Sequence, residues 1–93
     1  MKEKIIEQKL VIAVKDMGGI APKFISLGLD GMPDRIVLLP GGYMAFVEVK
    51  AVGCKPRPLQ ETRHGMLRRL GFKVYVLDRF EQIPQILEDT ANG

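Results

Sequence analysis

The stretch GMPDRIVLLPGGYMAFVEVK, residues 31–50, decides the fold. Two apolar runs, 34–39 and 43–50, read as strands joined by Pro40-Gly41-Gly42, a hairpin turn signal. Each run carries one acid, Asp34 in the first and Glu48 in the second. Carboxylates are seldom set among Ile, Val, Leu and Phe without a partner. Folding the ribbon about Gly41 brings residue 34 opposite residue 48, because each lies seven positions from the turn. Side chains opposite one another on an antiparallel pair have Cβ atoms about 4.5–5.5 Å apart. The two carboxylates therefore share a face, and the two-residue strand period adds Lys50 to it.

Two carboxylates this close repel, and burial without a cation would raise a pKa sharply. A divalent metal held by both, with the Val49 carbonyl and several waters, resolves the conflict, and Mg²⁺ suits such a donor set. The plainer alternative is a salt bridge from Lys50 to Glu48 or Asp34.

Working outward, residues 2–17 read as a helix with an Ile6, Leu10, Ala13, Val14 and Met17 stripe, stopped by Gly18-Gly19. Ile5 and Ile12 sit one heptad apart on its other side, either as isolated exposures or as a dimer seam. Residues 22–27 read as a short strand, 51–58 as a Gly/Pro loop, 59–70 as a helix ended by Gly71, and 73–77 as a fourth strand. A last helix starts near Asp78 or restarts at Pro84, with Asp78 and Glu81 spaced as a capping box. The order is α-β-β-β-α-β-α. A helical crossover sets the fourth strand parallel to the third, giving an α/β fold with a mixed four-stranded sheet flanked by helices.

Ninety-three residues leave room for one core. Trp is absent and aromatics are few, so that core is aliphatic. The net charge of +3 is uneven: between residues 50 and 73, Lys50, Lys55, Arg57, Arg63, Arg68, Arg69 and Lys73 face only Glu61. Such a segment suits a polyanion, or is simply a solvated helix face. Cys54 is the single cysteine, which excludes an internal disulfide and fits a reducing cytoplasm. The N-terminal apolar residues are interrupted by Glu7, Gln8 and Lys9 and make neither a signal peptide nor a membrane span.

Gly31-Met32-Pro33-Asp34-Arg35-Ile36, then Val47-Glu48-Val49-Lys50, then Gln60 on the following helix resemble the PD-(D/E)XK nucleases, and within them the VRR-NUC (virus-type replication-repair nuclease) branch. The resemblance runs from Glu7 to about Leu77 and implies a single nuclease domain over residues 1–93 with a restriction-endonuclease-like core. It implies Mg²⁺- or Mn²⁺-dependent hydrolysis of DNA phosphodiesters, with Asp34, Glu48 and the Val49 carbonyl as metal ligands and Glu7 completing the site directly or through water. Lys50 would orient or activate the attacking water. Gln60 would fix a water, Lys50 or the DNA, or else cap its helix. Helix geometry places Glu7 beside Leu10, Val11 and Val14, on the face that packs on the sheet.

Standalone members of this branch resemble Holliday-junction resolvases, which implies a homodimer acting on four-way or other branched DNA in a bacterial cell or phage-infected host. A flap or duplex nuclease of the same fold, or a non-catalytic DNA-binding subunit, are the alternatives. Lys55, Arg57, Arg63, Arg68 and Arg69 are the candidate phosphate contacts, Lys55 and Arg63 foremost. Arg35 points to the other sheet face and receives no chemistry. His64 shares the Gln60 face, either touching substrate or filling a packing contact.

Overall fold

A computed structural model describes residues 2–93; Met1, the first residue of the expected domain, lies outside them. The elements are α1 (Glu3–Asp16), β1 (Arg35–Leu39), β2 (Tyr43–Val49), α2 (Pro58–Arg69), β3 (Val74–Leu77), a 3₁₀ turn (Phe80–Gln82) and α3 (Ile83–Ala91). The sheet has three strands in the order β1-β2-β3. β1 and β2 are antiparallel, and β2 and β3 are parallel across the α2 crossover.

The hairpin closes through Pro40, Gly41 and Gly42, with φ of 93° and 84° at the two glycines, a region that side-chain-bearing residues rarely enter. Its register pairs Leu39 with Tyr43 and Arg35 with Val47. The ladder ends there, one residue short of the strand start read at 34; extending the register by one step sets Asp34 opposite Glu48.

The expected strand over residues 22–27 is absent, so the sheet has three strands where four were read. The chain instead touches β1 through isolated bridges, Ile20 to Leu38 just before the segment and Lys23 to Arg35 within it. Pro22 supplies the reason. Its carbonyl accepts from the Ile36 N–H at 3.1 Å, but it has no N–H to return, so the ladder breaks between the bridges. The capping box read at Asp78 and Glu81 is also replaced. The Gln82 side-chain oxygen accepts from the Asp78 and Arg79 N–H groups at 2.9 and 3.0 Å.

Alternation along the strands separates two faces. Val37, Leu39, Val47, Val49 and Leu77 pack with Ile6, Leu10 and Val14 of α1 and Ile83, Ile86 and Leu87 of α3. Burial of each such side chain is worth about 1.5–3 kcal/mol. The opposite face holds a smaller cluster of Phe46, Leu67 and Val74, edged by Phe24, Met32, Ile36 and Met44. Phe46 takes Phe24 and Phe72 edge-on, with centroids 5.8 and 5.9 Å away. Glu48 and Lys50 belong to this second face by the strand period, so the acids emerge beneath α2.

Candidate active site

Glu48 is the residue around which the site is built. It is 2% exposed, on the central strand of the sheet. Its Oε2 accepts from Gln60 Nε2 at 3.2 Å and lies 3.4 Å from Lys50 Nζ. Its Oε1 is buried with no hydrogen-bond partner, and His64 Nε2 lies 3.8 Å from it. Burial pushes the Glu48 carboxyl above its ordinary value, and the charge of Asp34 adds to the shift against the opposing pull of Lys50.

Asp34 stands just before β1 and is fixed by the Val49 N–H, which donates to Oδ1 at 3.1 Å. Its pKa is also raised, first by burial; the Val49 N–H opposes this, and the charges of Glu7 and Glu3 add to it. In an extended strand the N–H and C=O of one residue leave on the same side. The Val49 carbonyl therefore faces the edge where Asp34 sits.

Gln60 caps its helix and also reaches the Glu48 carboxylate. Its Oε1 accepts from the Arg57 N–H at 2.9 Å, closing the first turn of α2, while its Nε2 reaches Glu48. Capping the helix thus fixes which end of the amide faces the carboxylate. The approach of α2 depends on Gly31, whose φ is +83°. A Cβ there would come within 2.9 Å of the Leu59 carbonyl oxygen and 3.0 Å of Arg63 Cγ. Arg63 Nε donates to the Asp30 carbonyl at 2.7 Å, binding the 28–33 loop to α2.

Glu7 is placed differently from the other predicted residues. It lies on α1, and its Oε1 pairs with Arg35 Nη2 at 3.1 Å. Arg35 Nη1 donates to the Ala21 carbonyl at 2.7 Å. Glu7 makes no contact with Glu48, Lys50 or Gln60, though its charge is felt at Asp34. Arg35 and His64 are the residues that sequence reasoning left without a role. The signal for Arg35 was present: Glu7 on a packed helix face needed a cation. For His64 it was the four-residue spacing from Gln60.

The basic candidates divide. Lys55, Arg57 and Arg69 are exposed. Arg63 is spent on the Asp30 carbonyl, and Arg68 donates through Nη2 to the Val74 carbonyl at 2.8 Å.

Two raised carboxylates and a buried, unpartnered Glu48 oxygen are what a divalent cation would relieve. Among the described residues no three His, Cys, Asp or Glu side chains converge closely enough to enclose a metal by themselves. The donor set is two carboxylates and a carbonyl, which fits a cation that keeps several waters, as Mg²⁺ does.

A carboxylate pair at the open end of a β-ribbon, a lysine two residues on and a glutamine from the crossover helix define a site of the PD-(D/E)XK type. No family model matches the sequence. A solved VRR-NUC domain is similar over 95% of this chain and 96% of its own, with 32% identity and a TM-score of 0.86. A protein named "Putative nuclease p44", from Acyrthosiphon pisum secondary endosymbiont phage 1, is 51% identical over 78 residues, 84% of each chain. The chain belongs to the VRR-NUC family.

Proposed function

We propose that this protein is a Mg²⁺- or Mn²⁺-dependent DNA endonuclease acting on four-way or other branched junctions as a homodimer. The observation that carries the reading is the convergence on Glu48 of Lys50, Gln60 and an unfilled acceptor, Oε1, next to a second raised carboxylate. Asp34, Glu48 and the Val49 carbonyl would hold the metal, which would supply charge stabilisation at the phosphate. Lys50, 3.4 Å from Glu48, would orient the attacking water by hydrogen bonding. Gln60 holds Glu48 in one rotamer. Glu7, itself held by Arg35, adds negative charge beside Asp34 and would complete the site through water.

Exposed Lys55, Arg57 and Arg69 give the backbone of the DNA its cationic contacts. The p44 nuclease name and the VRR-NUC likeness support DNA as the substrate. Ile5 and Ile12, 44% and 60% exposed, give α1 an apolar line suited to a second copy, and a two-fold pair would present two sites to a junction.

The test is a panel of four-way, flap, nicked and linear DNAs incubated with Mg²⁺, Mn²⁺ or EDTA. Junction cleavage that needs metal and is lost in Asp34→Asn supports the proposal. Tight DNA binding without cleavage, unchanged by metal and by Asp34→Asn, overturns it in favour of a binding module. Light scattering of the purified chain decides the dimer.

A further inference from the structure

We infer that His64 is a positioning residue, donating from Nε2–H to Glu48 Oε1 so that α2 grips both oxygens of one carboxylate from successive turns. The inference deepens the proposed function and rests on it for its catalytic meaning.

Two observations lead there. First, Glu48 Oε1 and His64 Nε2 are both buried and both lack a hydrogen-bond partner, and they lie 3.8 Å apart. That spacing is beyond a hydrogen bond, yet neither atom presents surface to a water that could bridge them. Buried polar atoms left so are rare and costly. A hydrogen bond between the two would satisfy both.

Second, the geometry is helical. Gln60 and His64 are four residues apart on α2 and share a face. Gln60 Nε2 already donates to Oε2. The next turn offers its nitrogen to Oε1.

A neutral imidazole carries one N–H, and beside a carboxylate that proton belongs on the facing nitrogen. The contact then orients Glu48 without cancelling its charge.

The first experiment needs no metal. Long-range ¹⁵N correlation spectra of the intact wild-type protein should show the Nε2–H tautomer, with its resonance moved by Glu48→Gln. The Nδ1–H tautomer would overturn the inference.

The second experiment measures Mn²⁺ affinity by electron paramagnetic resonance. His64→Leu should bind Mn²⁺ roughly tenfold or more weakly, the usual effect of losing a partner behind a metal ligand. His64→Gln, which restores an N–H donor, should recover part of the loss. Unchanged affinity in a folded His64→Leu overturns the positioning role. Failure of the wild type to bind Mn²⁺ would instead sink the proposed metal site, and the tautomer alone would then decide the contact.

Discussion

The two faces of the sheet are covered by helices of opposite character. On one, α1 buries Ile6, Leu10 and Val14, and nothing polar. On the other, the residues that α2 buries are Gln60, His64 and Leu67. Each face also sets an acid beside a cation. Glu7, on the α1 side, meets the full charge of Arg35 at 3.1 Å. Glu48, on the α2 side, has Lys50 and Gln60 at one oxygen and no partner within bonding distance at the other. Stability is concentrated on the α1 and α3 side. Unmatched buried atoms occur on both sides, Arg35 Nε on one and Glu48 Oε1 and His64 Nε2 on the other, but the two raised carboxylates gather under α2, and perturbed carboxylates of this kind cluster at functional sites.

The sharpest way to break this contrast is Glu48→Gln. Cleavage should fall by roughly 10³-fold or more, the scale on which losing one electrostatic contact to a transition state is felt. Stability should move the other way. Glu48 and Asp34 have folded pKa values above their ordinary 4.5 and 3.8. Between each ordinary value and its raised counterpart the folded state holds a proton that the unfolded state has released. Metal-free wild type therefore loses stability as pH rises from about 4 through that window, and regains it on acidification. Glu48→Gln should flatten the slope and raise Tm at neutral pH. Thermal melts in EDTA across this range read both effects. Mn²⁺ at about 100 times its Kd should add ~2.7 kcal/mol to the wild type and little to the variant. A Glu48→Gln protein less stable than wild type in EDTA would mean that this face is built for stability after all.

The converse substitution is Arg35→Ala on the α1 side. It strands Glu7 and frees the Ala21 carbonyl. Breaking a fully buried pair costs about 3–5 kcal/mol. The side chains here are 12% and 20% exposed, so solvent softens the loss to about 2 kcal/mol. The midpoint of urea unfolding should drop accordingly, with a smaller effect on cleavage than Glu48→Gln has. If cleavage disappears while stability holds, Arg35 serves the reaction and not the fold.

Those two acids also show how far the chain could be read unaided. The register that joins Asp34 to Glu48 was legible because a hairpin turn fixes every pairing beyond it, and Gly41 marks the turn. Lys50 followed from the strand period. The limits were set by interactions that sequence spacing does not encode. A single missing N–H at Pro22 reduced an apparent strand to two bridges. Arg63 and Arg68 look like Lys55 and Arg57 in a run of cations, but only the folded chain brings carbonyls within their reach. Arg35 was placed on its own face correctly, and its partner Glu7 was named for another purpose; their contact depends on how α1 docks. His64 could be assigned to the Gln60 face, whereas the empty oxygen it points to exists only in three dimensions.

A subtler probe of the α2 side is Gly31→Ala. The φ of +83° and the 2.9 Å approach to the Leu59 carbonyl oxygen leave no room for a methyl without backbone movement. The cost should be about 1–3 kcal/mol. Because the displaced element is α2, Gln60 moves off Glu48 and cleavage should fall further than the stability loss alone explains. Comparing the variant's activity well below its Tm with that of Arg35→Ala separates a misplaced site from a weakened fold.

The smallest effect asks which cations on this side serve the substrate. Lys55 is exposed, while Arg63 is bound to the Asp30 carbonyl. If Lys55 neutralises a phosphate, Lys55→Ala should reduce the slope of log K against log salt by about 0.9 for duplex arms, with no change in Tm. Arg63→Ala should leave that slope intact and lower stability by up to about 1 kcal/mol, the worth of one lost side-chain hydrogen bond. DNA binding titrated at several salt concentrations in Ca²⁺ or EDTA, alongside melts of both variants, measures the pair. The opposite assignment, a slope change for Arg63→Ala and a stability change for Lys55→Ala, would mean that the Asp30 contact opens on DNA and that the 28–33 loop moves when substrate arrives.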